Sequence, residues 1–398
     1  MTPFAALQGL RVLDLSRVLA GPMAAQLLAD LGADVIKIER PETGDDTREW
    51  APPMMVPTPV SPLEESVYFW TCNRGKRSVT ANIAVPQDQA LITRLAQDAD
   101  VVIENYKVDT LARYGLDYTS LQTINPRLIY CSITGFGQTG PYRQRPGYDS
   151  IVQALGGLMS ITGNADDTPG GGPRKSGIAV ADQMTALYSV VGILAALQER
   201  HVSGLGQHID MSLLDVQVAA LTNIGMSYLA SGKVPKRLGN QLSTVYPSDS
   251  FRCSDGDLML IVGNDMQFSR FCKAMGLQEL ATDPRFVHNA DRLANSAQLA
   301  PLLRTAFSGL TVAQCEARLS EAGVPAAPVN DMAQVFENPQ VVARGMVRDI
   351  PRADGTTARV LGNPIRMSRS GLRDDRTPPR LGEHTSQVSA DGWATTRG

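Results

Sequence analysis

Asp182 is the residue from which the most chemistry could be built. It follows the small-residue run Ser176-Gly177-Ile178-Ala179-Val180-Ala181 and opens the apolar stretch Gln183 to Leu197. That stretch has helical length, so Asp182 stands where a helix starts. One use of such an aspartate is to cap the helix, because its carboxylate accepts from free backbone N–H groups there. The other use is chemical. A helix N-terminus stabilises an ionised carboxylate, and an ionised carboxylate can attack a thioester carbonyl. The small residues before it would let a substrate approach closely. The local pattern is commoner in caps than in nucleophiles, and by itself it leaves both readings open.

Cationic residues suggest where an anionic ligand would lie. Arg40, in Ile36-Lys37-Ile38-Glu39-Arg40-Pro41, falls just past a predicted strand, at the sheet edge where open α/β folds bind ligands. Its forked donors suit phosphate oxygens. Arg74, Lys76 and Arg77 form a compact basic loop in Asn73-Arg74-Gly75-Lys76-Arg77. Against this, single arginines and short basic loops are usually only solvated surface. Gly135-Phe136-Gly137-Gln138-Thr139-Gly140-Pro141 also follows a predicted strand, but Pro141 and the polar residues after it do not continue a helix. A nicotinamide-binding fingerprint is therefore weak. There is no P-loop and no G-x-S-x-G elbow, and His208 reads as a strand residue rather than a base.

The residues between these positions supply a scaffold. Gly9 to Leu15 reads as a strand, Ala24 to Leu31 as a short helix stopped by Gly32, and Ala33 to Ile38 as a second strand. A helix between two strands predicts a βαβ unit and a parallel sheet. Asp88 to Asp98 as helix, then Val101 to Ile103 and Leu128 to Ile133 as strands, extend this into a doubly wound α/β domain. Glu42 to Glu64 is Pro-rich and expected to be irregular, and Gly163 to Gly172 to be a loop. Tyr246 to Phe251 and Leu258 to Val262 read as a hairpin, followed by helices over Met266 to Met275 and Ala297 to Phe307. The expected division is 1–200 for the N-terminal part of a large domain, 201–224 for a linker, 225–325 for a smaller α+β domain and 326–398 for a tail. Within the tail, Thr357 to Leu361 reads as a strand and the polar end, Thr385 to Gly398, is expected to fray.

Composition narrows the classes. With 398 residues, 43% hydrophobic and 19% charged, the chain can bury a sizeable core over about two domains. A net charge of -3 gives no global attraction to nucleic acid or an anionic membrane, so neither is expected as a partner. Five scattered cysteines and four scattered histidines suggest no metal site and no disulfide framework, which fits reduced thiols in the cytoplasm. Met1 to Leu10 lacks the charged start of a secretory signal. Met184 to Leu197 falls short of the roughly 20 residues of a membrane span and reads as a buried helix.

Longer segments carry a family resemblance. Arg11-Val12-Leu13-Asp14-Leu15-Ser16-Arg17-Val18-Leu19-Ala20-Gly21-Pro22 resembles the opening of class III CoA transferases, the CaiB/BaiF family. Gly32 to Pro41, Gly44-Asp45-Asp46-Thr47-Arg48, Asn73 to Ser78, Glu104-Asn105-Tyr106, Ser132 to Gly137, Pro146-Gly147-Tyr148-Asp149, Val262-Gly263-Asn264-Asp265 and Leu381-Gly382-Glu383-His384-Thr385 follow in the family's order. The resemblance implies a CoA-transferase family III fold: a large Rossmann-like domain from both chain ends, a smaller α+β domain between, and an interlocked, ring-like homodimer. The tail then becomes a return to the large domain. It also implies chemistry. An aspartate attacks the acyl-CoA, a mixed anhydride forms, and CoA thiolate converts it to an aspartyl-CoA thioester. Asp182 matches that aspartate, which displaces the cap reading. Val18 and Leu19 match the loop over the pantetheine arm, Arg40 the adenine- and phosphate-side arginine, Arg74 and Lys76 the basic loop near the phosphates, and Asn105 and Arg113 a further CoA-side pair. Gly239 to Thr244 occupies the stretch of the family's glycine-rich lid without its glycine run.

Within the family, α-methylacyl-CoA racemases need a histidine where this chain has Tyr148, and a tyrosine with an ordinary pKa of about 10 is a poor base. Transfer is therefore expected over racemisation. A nicotinamide-dependent oxidoreductase is a remoter alternative that rests on fold analogy alone. The segments around Gly44 to Trp50, Tyr130 to Gly135 and Asn338-Pro339-Gln340 look most like the dicarboxylate branch, typified by succinate–hydroxymethylglutarate CoA transferase. Succinyl-CoA or a similar donor and a C4–C6 acceptor acid are expected, with no metal, flavin or nicotinamide. Arg17, Tyr148 and Arg237 are candidates for the acyl pocket.

Overall fold

The computed structural model describes residues 4–50, 53–55, 65–352 and 355–393. Its chain divides into two compact units: Met1–Leu158, Lys175–Ser231 and Pro339–Gly398 in the first, Met159–Arg174 and Gly232–Asn338 in the second.

The first unit is built on six parallel strands. These are β1 (Arg11–Asp14), β2 (Asp34–Glu39), β3 (Arg77–Thr80), β4 (Val101–Glu104), β5 (Ile129–Thr134) and β6 (His208–Ser212). Their order across the sheet is β3-β2-β1-β4-β5-β6, with Val12 opposite both Val35 and Val101. The strands are short apolar runs, as a sheet covered on both faces requires. Alternate residues part to the two faces. Val12, Val35, Val101, Ile103 and Cys131 enter one core with helices α1 (Ala20–Asp30) and α3 (Val180–Ser203). Leu13, Ile36, Val79, Val102 and Tyr130 enter the other, under the helix Pro86–Gln97. Two short helices complete the site's surroundings: α2 (Asp149–Leu155), which precedes α3 in the chain, and α4 (Leu213–Ala219).

Several boundaries differ from the sequence reading. α1 starts at Ala20 rather than Ala24, because Pro22 falls in the first turn, where its missing N–H has no helical partner to lose. The stretch 201–224, read as a linker, carries β6 and α4 of the main sheet layer. Residues 159–174 join the second unit, and the return to the first begins at Pro339 rather than 326. Thr385–Asp391 is a helix rather than a frayed end. Buried Val388 and Trp393 hold it, and the Trp393 indole N–H donates to the Leu95 carbonyl at 2.8 Å. Asp46–Arg48 is a short 3₁₀ turn within the Pro-rich excursion, most of which (51–52 and 56–64) lies outside the described residues.

The second unit has a three-stranded antiparallel sheet, with Ser248–Arg252, Asp257–Ile261 and Ala326–Pro328 in sequence-adjacent and then crossover pairing. The hairpin read between Tyr246 and Val262 is present, with Arg252 opposite Asp257. Helices Asp265–Ala274, Ser296–Ser308 and Val312–Glu321 close a core in which the Phe251 and Phe307 rings stack 4.6 Å apart.

Helix α3 is long and apolar enough to cross a membrane by length and composition. Ala186, Val190, Ile193 and Leu197 on one side enter the core, while Leu187, Tyr188, Val191 and Leu194 on the other are exposed.

Candidate active site

The strand order reverses between β1 and β4, so the loops leaving these strands run to opposite sides of the sheet and open a crevice at their C-terminal ends. Two adjoining cavities occupy it. One, of about 210 Å³, is lined by the loop after β1 (Arg17 to Ala20), the loop after β4 (Asn105 to Val108), the end of β5, the 143–148 loop and Asp182. The other, of about 130 Å³, lies over β2 and is lined by Lys37 to Arg40, Gly44 and Asp45 among others. Arg17 and Tyr106 line both.

The β1 loop is tightly held. The Asn105 side chain accepts from the Arg17 N–H at 2.8 Å and donates to the Arg17 carbonyl at 2.6 Å. Val18 has φ +73°, a strained conformation for a β-branched residue. Its N–H is fixed by the Asp45 carboxylate at 3.2 Å. This turn brings Leu19 and Ala20 to the cavity wall and starts α1 there. Gly21 is required next, since a Cβ would collide with the Ser16 side chain. The first N–H groups of α1 have no partner within the helix, so positive backbone charge faces the crevice.

Asp182 is the third residue of α3 and is not its cap. Ala179 precedes the helix and makes no side-chain cap. Asp149, from the start of α2, does that work from outside: its Oδ1 accepts from the Ala181 N–H at 2.9 Å and the Asp182 N–H at 3.4 Å. Gln153 in turn donates to Asp149 at 2.6 Å and accepts from the Ser176 N–H at 2.9 Å. The Asp182 carboxylate accepts no hydrogen bond from the described residues. Burial, and secondarily the Asp149 charge, raise its pKa to about 7. Tyr68 stands within electrostatic reach; burial, then Asp182, Cys72 and Asp149, push its phenol up to about 12, so it remains a proton donor.

Backbone packing explains how Asp149 arrives. Gly135 ends the β5 strand region and Gly147 ends the following loop, and the two backbones touch: a Cβ on either would collide with the other's Cα. No other residue type fits that contact. The contact folds the 136–146 loop back on itself and delivers Tyr148 and Asp149 beside the start of α3.

The remaining sequence candidates divide. Arg40 lines the cavity over β2, donating to Asp46 at 2.5 Å, and Arg17 reaches the same carboxylate at 3.0 Å while lying 5.3 Å from the Tyr106 ring centroid. Tyr148 is 66% exposed and lines the cavity with Asp182. Arg74 and Lys76, expected near phosphates, are buried instead. Arg74 makes a two-pronged pair with Asp30, at 2.8 and 2.6 Å, and donates to the Leu361 carbonyl. The Lys76 ammonium is saturated by Asp14, the Pro22 carbonyl and Asn73, each at 2.8 Å. Neither lines either cavity. Arg113 is exposed in the 3₁₀ turn Leu111–Tyr114 and lines neither. Arg237 belongs to the second unit, where it pairs with Asp166 and donates to the Ser160 carbonyl at 3.0 Å. Gly239, at the start of the stretch matched to the lid, donates its N–H to the Gly163 carbonyl at 3.0 Å within that unit. Asp149 and Arg145 had no assigned role from sequence. Two glycines bracketing a loop of fixed length, followed by an acid, were the available signal.

A crevice at the reversal of a Rossmann-like sheet, with cations along both cavities and a protonatable carboxylate in one of them, suits a long anionic ligand. Comparison with known proteins agrees. The sequence profile of CoA-transferase family III matches residues 7–385. Succinate–glutarate CoA-transferase of Agrobacterium fabrum is 49% identical over 97% of this chain and 95% of its own. Succinyl-CoA:glutarate CoA-transferase of Mus musculus is 40% identical over 96% of this chain and 85% of its own. The crystal structure of a CaiB/BaiF family protein from Brucella suis superposes with a TM-score of 0.88 at 47% identity, covering 97% of this chain and 99% of that one. The chain belongs to CoA-transferase family III and is a CoA-transferase.

Proposed function

We propose that this enzyme moves CoA from a short dicarboxylyl-CoA, such as succinyl-CoA, to a free C4–C6 dicarboxylate, glutarate foremost, through covalent intermediates on Asp182. The observation that carries the reading is the Asp182 carboxylate: it faces the crevice without a hydrogen-bond partner among the described residues, while Asp149 takes over the capping of its helix. The succinate–glutarate transfer for which the Agrobacterium and mouse relatives are named supports the choice of acids.

In this reading the adenine and phosphates lie toward Arg40 and Arg17, and the pantetheine arm passes Val18 and Leu19 toward Asp182. Asn105 shapes that loop. The ionised Asp182 carboxylate attacks the thioester carbonyl; the C–S bond breaks and CoA leaves as a thiolate, giving a mixed anhydride. The thiolate then attacks the aspartyl carbonyl and releases the donor acid, leaving an aspartyl-CoA thioester. The acceptor carboxylate reverses both steps. Backbone N–H groups at the start of α1 are placed to stabilise the developing oxyanion and the thiolate. Burial and the Asp149 charge hold the Asp182 pKa at about 7, so an appreciable fraction is ionised near neutral pH and no hydrogen bond has to be broken before it attacks.

The working form in this reading is an interlocked homodimer in the cytoplasm, needing no metal, flavin or nicotinamide. The exposed apolar side of α3, with Leu187, Tyr188, Val191 and Leu194, supports burial against a second copy. Sedimentation should give a single species of twice the chain mass; a monomer would contradict it. The activity itself is tested by incubating the protein with succinyl-CoA and glutarate, 3-hydroxy-3-methylglutarate, itaconate, malate, citramalate, oxalate or carnitine, and resolving CoA esters by mass. A new ester with stoichiometric succinate supports the reading. No new ester with any acid, together with α-proton exchange on a branched acyl-CoA, would replace it by racemisation.

A further inference from the structure

Four cations line the cavity that contains Asp182: Arg17, Lys107, Arg143 and Arg145. Two of them are neutralised. Arg17 pairs with Asp46 at 3.0 Å, and Arg143 pairs with Asp109 at 3.2 Å. Arg145 has no acidic partner among the described residues. Its guanidinium lies over the Tyr142 ring, 3.8 Å from the centroid, and Tyr142 is itself backed edge-on by Phe136 at 5.8 Å. Stacking uses the face of a guanidinium and leaves its in-plane donors available for a carboxylate.

The support under Arg145 is rigid at both ends. Its N–H donates to the Tyr142 carbonyl at 2.8 Å. Asp109 grips the preceding residues, accepting from Gln144 at 3.0 Å as well as pairing with Arg143. The Gly135–Gly147 backbone contact pins the loop two residues later. Arg145 thus stands four residues before Asp149, which touches the backbone of Asp182. Lys107, also without an acidic partner among the described residues, follows the Asn105 clamp on Arg17 in the loop after β4 and lines the same cavity. In the proposed mixed anhydride the dicarboxylyl group on Asp182 carries a second carboxylate a few bonds away, and the forked donors of the exposed Arg145 suit that charge.

We infer that Arg145, stacked on Tyr142, recognises the distal carboxylate of the donor and acceptor acids and so sets the preference for dicarboxylates. This rests on the proposed dicarboxylate transfer. Arg145 is a specificity residue that touches substrate away from the reacting carbon.

The test compares glutarate with pentanoate, which has the same chain length and lacks the distal carboxylate, each as acceptor from succinyl-CoA, and reads the ratio of their kcat/KM values. In the unsubstituted enzyme glutarate is favoured. Arg145→Gln should lower kcat/KM for glutarate about 10- to 100-fold, the loss of a charge-assisted pair, and leave pentanoate within about twofold. Arg145→Lys should restore only part of the preference, since charge returns without the fork. An unchanged ratio in Arg145→Gln, or an equal loss with both acids, would overturn the assignment and make Arg145 a CoA-binding or structural residue. Lys107→Gln is the control: it should leave the ratio unchanged, and a collapse of the ratio there instead would move the role to Lys107. A ratio near one in the unsubstituted enzyme would refute the dicarboxylate reading itself.

Discussion

Two charged regions of the first unit use the same residue types to opposite ends. Around the ends of β1 and β2, Asp14, Lys37, Asp45 and Lys76 are buried and paired with one another: Lys76 meets Asp14 at 2.8 Å and Lys37 meets Asp45 at 2.9 Å. Burial alone would raise the Asp45 carboxyl, but Lys37 and the Thr47 N–H hold it down at about 2. Asp14 is likewise driven up by burial and pulled below the usual range by Lys76 and Lys37. At the starts of α2 and α3, Asp149 and Asp182 sit close together, and neither forms an ion pair with a cation among the described residues. Burial and the Asp149 charge lift Asp182 to about 7. The first region fixes the loop carrying Val18; the second leaves a carboxylate that holds its proton up to about pH 7. The difference lies in whether partners were supplied, which residue type alone does not reveal.

The largest effect should come from the unpaired side. Asp182→Ala should reduce transfer below detection while the far-UV spectrum and the sedimentation behaviour are kept; turnover within tenfold of normal would remove Asp182 from the chemistry. On the paired side, Lys76→Met removes the nearest cation from buried Asp14, leaving it only Lys37 at 3.9 Å, and should lower unfolding stability by about 3 kcal/mol in urea titrations. Lys107→Met, an exposed cation in the crevice, should stay within about 0.5 kcal/mol. Equal losses for the two would mean the paired cluster has no special structural role.

The pH responses have opposite signs. In the proposed mechanism Asp182 must be ionised to attack, so kcat/KM should rise about tenfold per pH unit up to about 7 and level above it. Because its folded pKa is raised, its contribution favours the fold at low pH and is lost as pH climbs through about 7. Asp182→Asn should therefore melt above the unsubstituted protein at pH 8, with the gap closing toward pH 4. Asp45 behaves inversely: its depressed pKa contributes stability above the ordinary carboxylate value of 3.8, and that is lost as pH falls toward 2. An Asp45→Asn variant should lose this acid-sensitive increment; an identical acid transition in both would break the contrast.

Much of the scaffold was legible because strand and helix periods are local. The βαβ opening, the hairpin at Ser248–Arg252 and Asp257–Ile261, and the position of Asp182 at a helix start can each be read from neighbouring residues. What failed depends on partners far away in sequence. Arg74 and Lys76 read as a basic surface loop because the acids that neutralise them, Asp30 and Asp14, lie more than 40 residues earlier. The cap reading of Asp182 was reasonable on local grounds, and it fails because Asp149 caps α3 from 33 residues away. Residues 201–224 lacked strong strand alternation because β6 is an edge strand with a half-exposed pattern, which resembles a linker. The role of Arg145 is likewise invisible until the Gly135–Gly147 contact closes its loop.

The most direct test of the central claim is to trap the covalent intermediate. The protein is mixed with succinyl-CoA without an acceptor, quenched in acid, digested and read by mass spectrometry. The account predicts CoA attached, with loss of water, to the peptide carrying Asp182, and free succinate in equal amount. Succinate release with CoA on another residue, or full transfer through a ternary complex with no adduct at any time point, would contradict it.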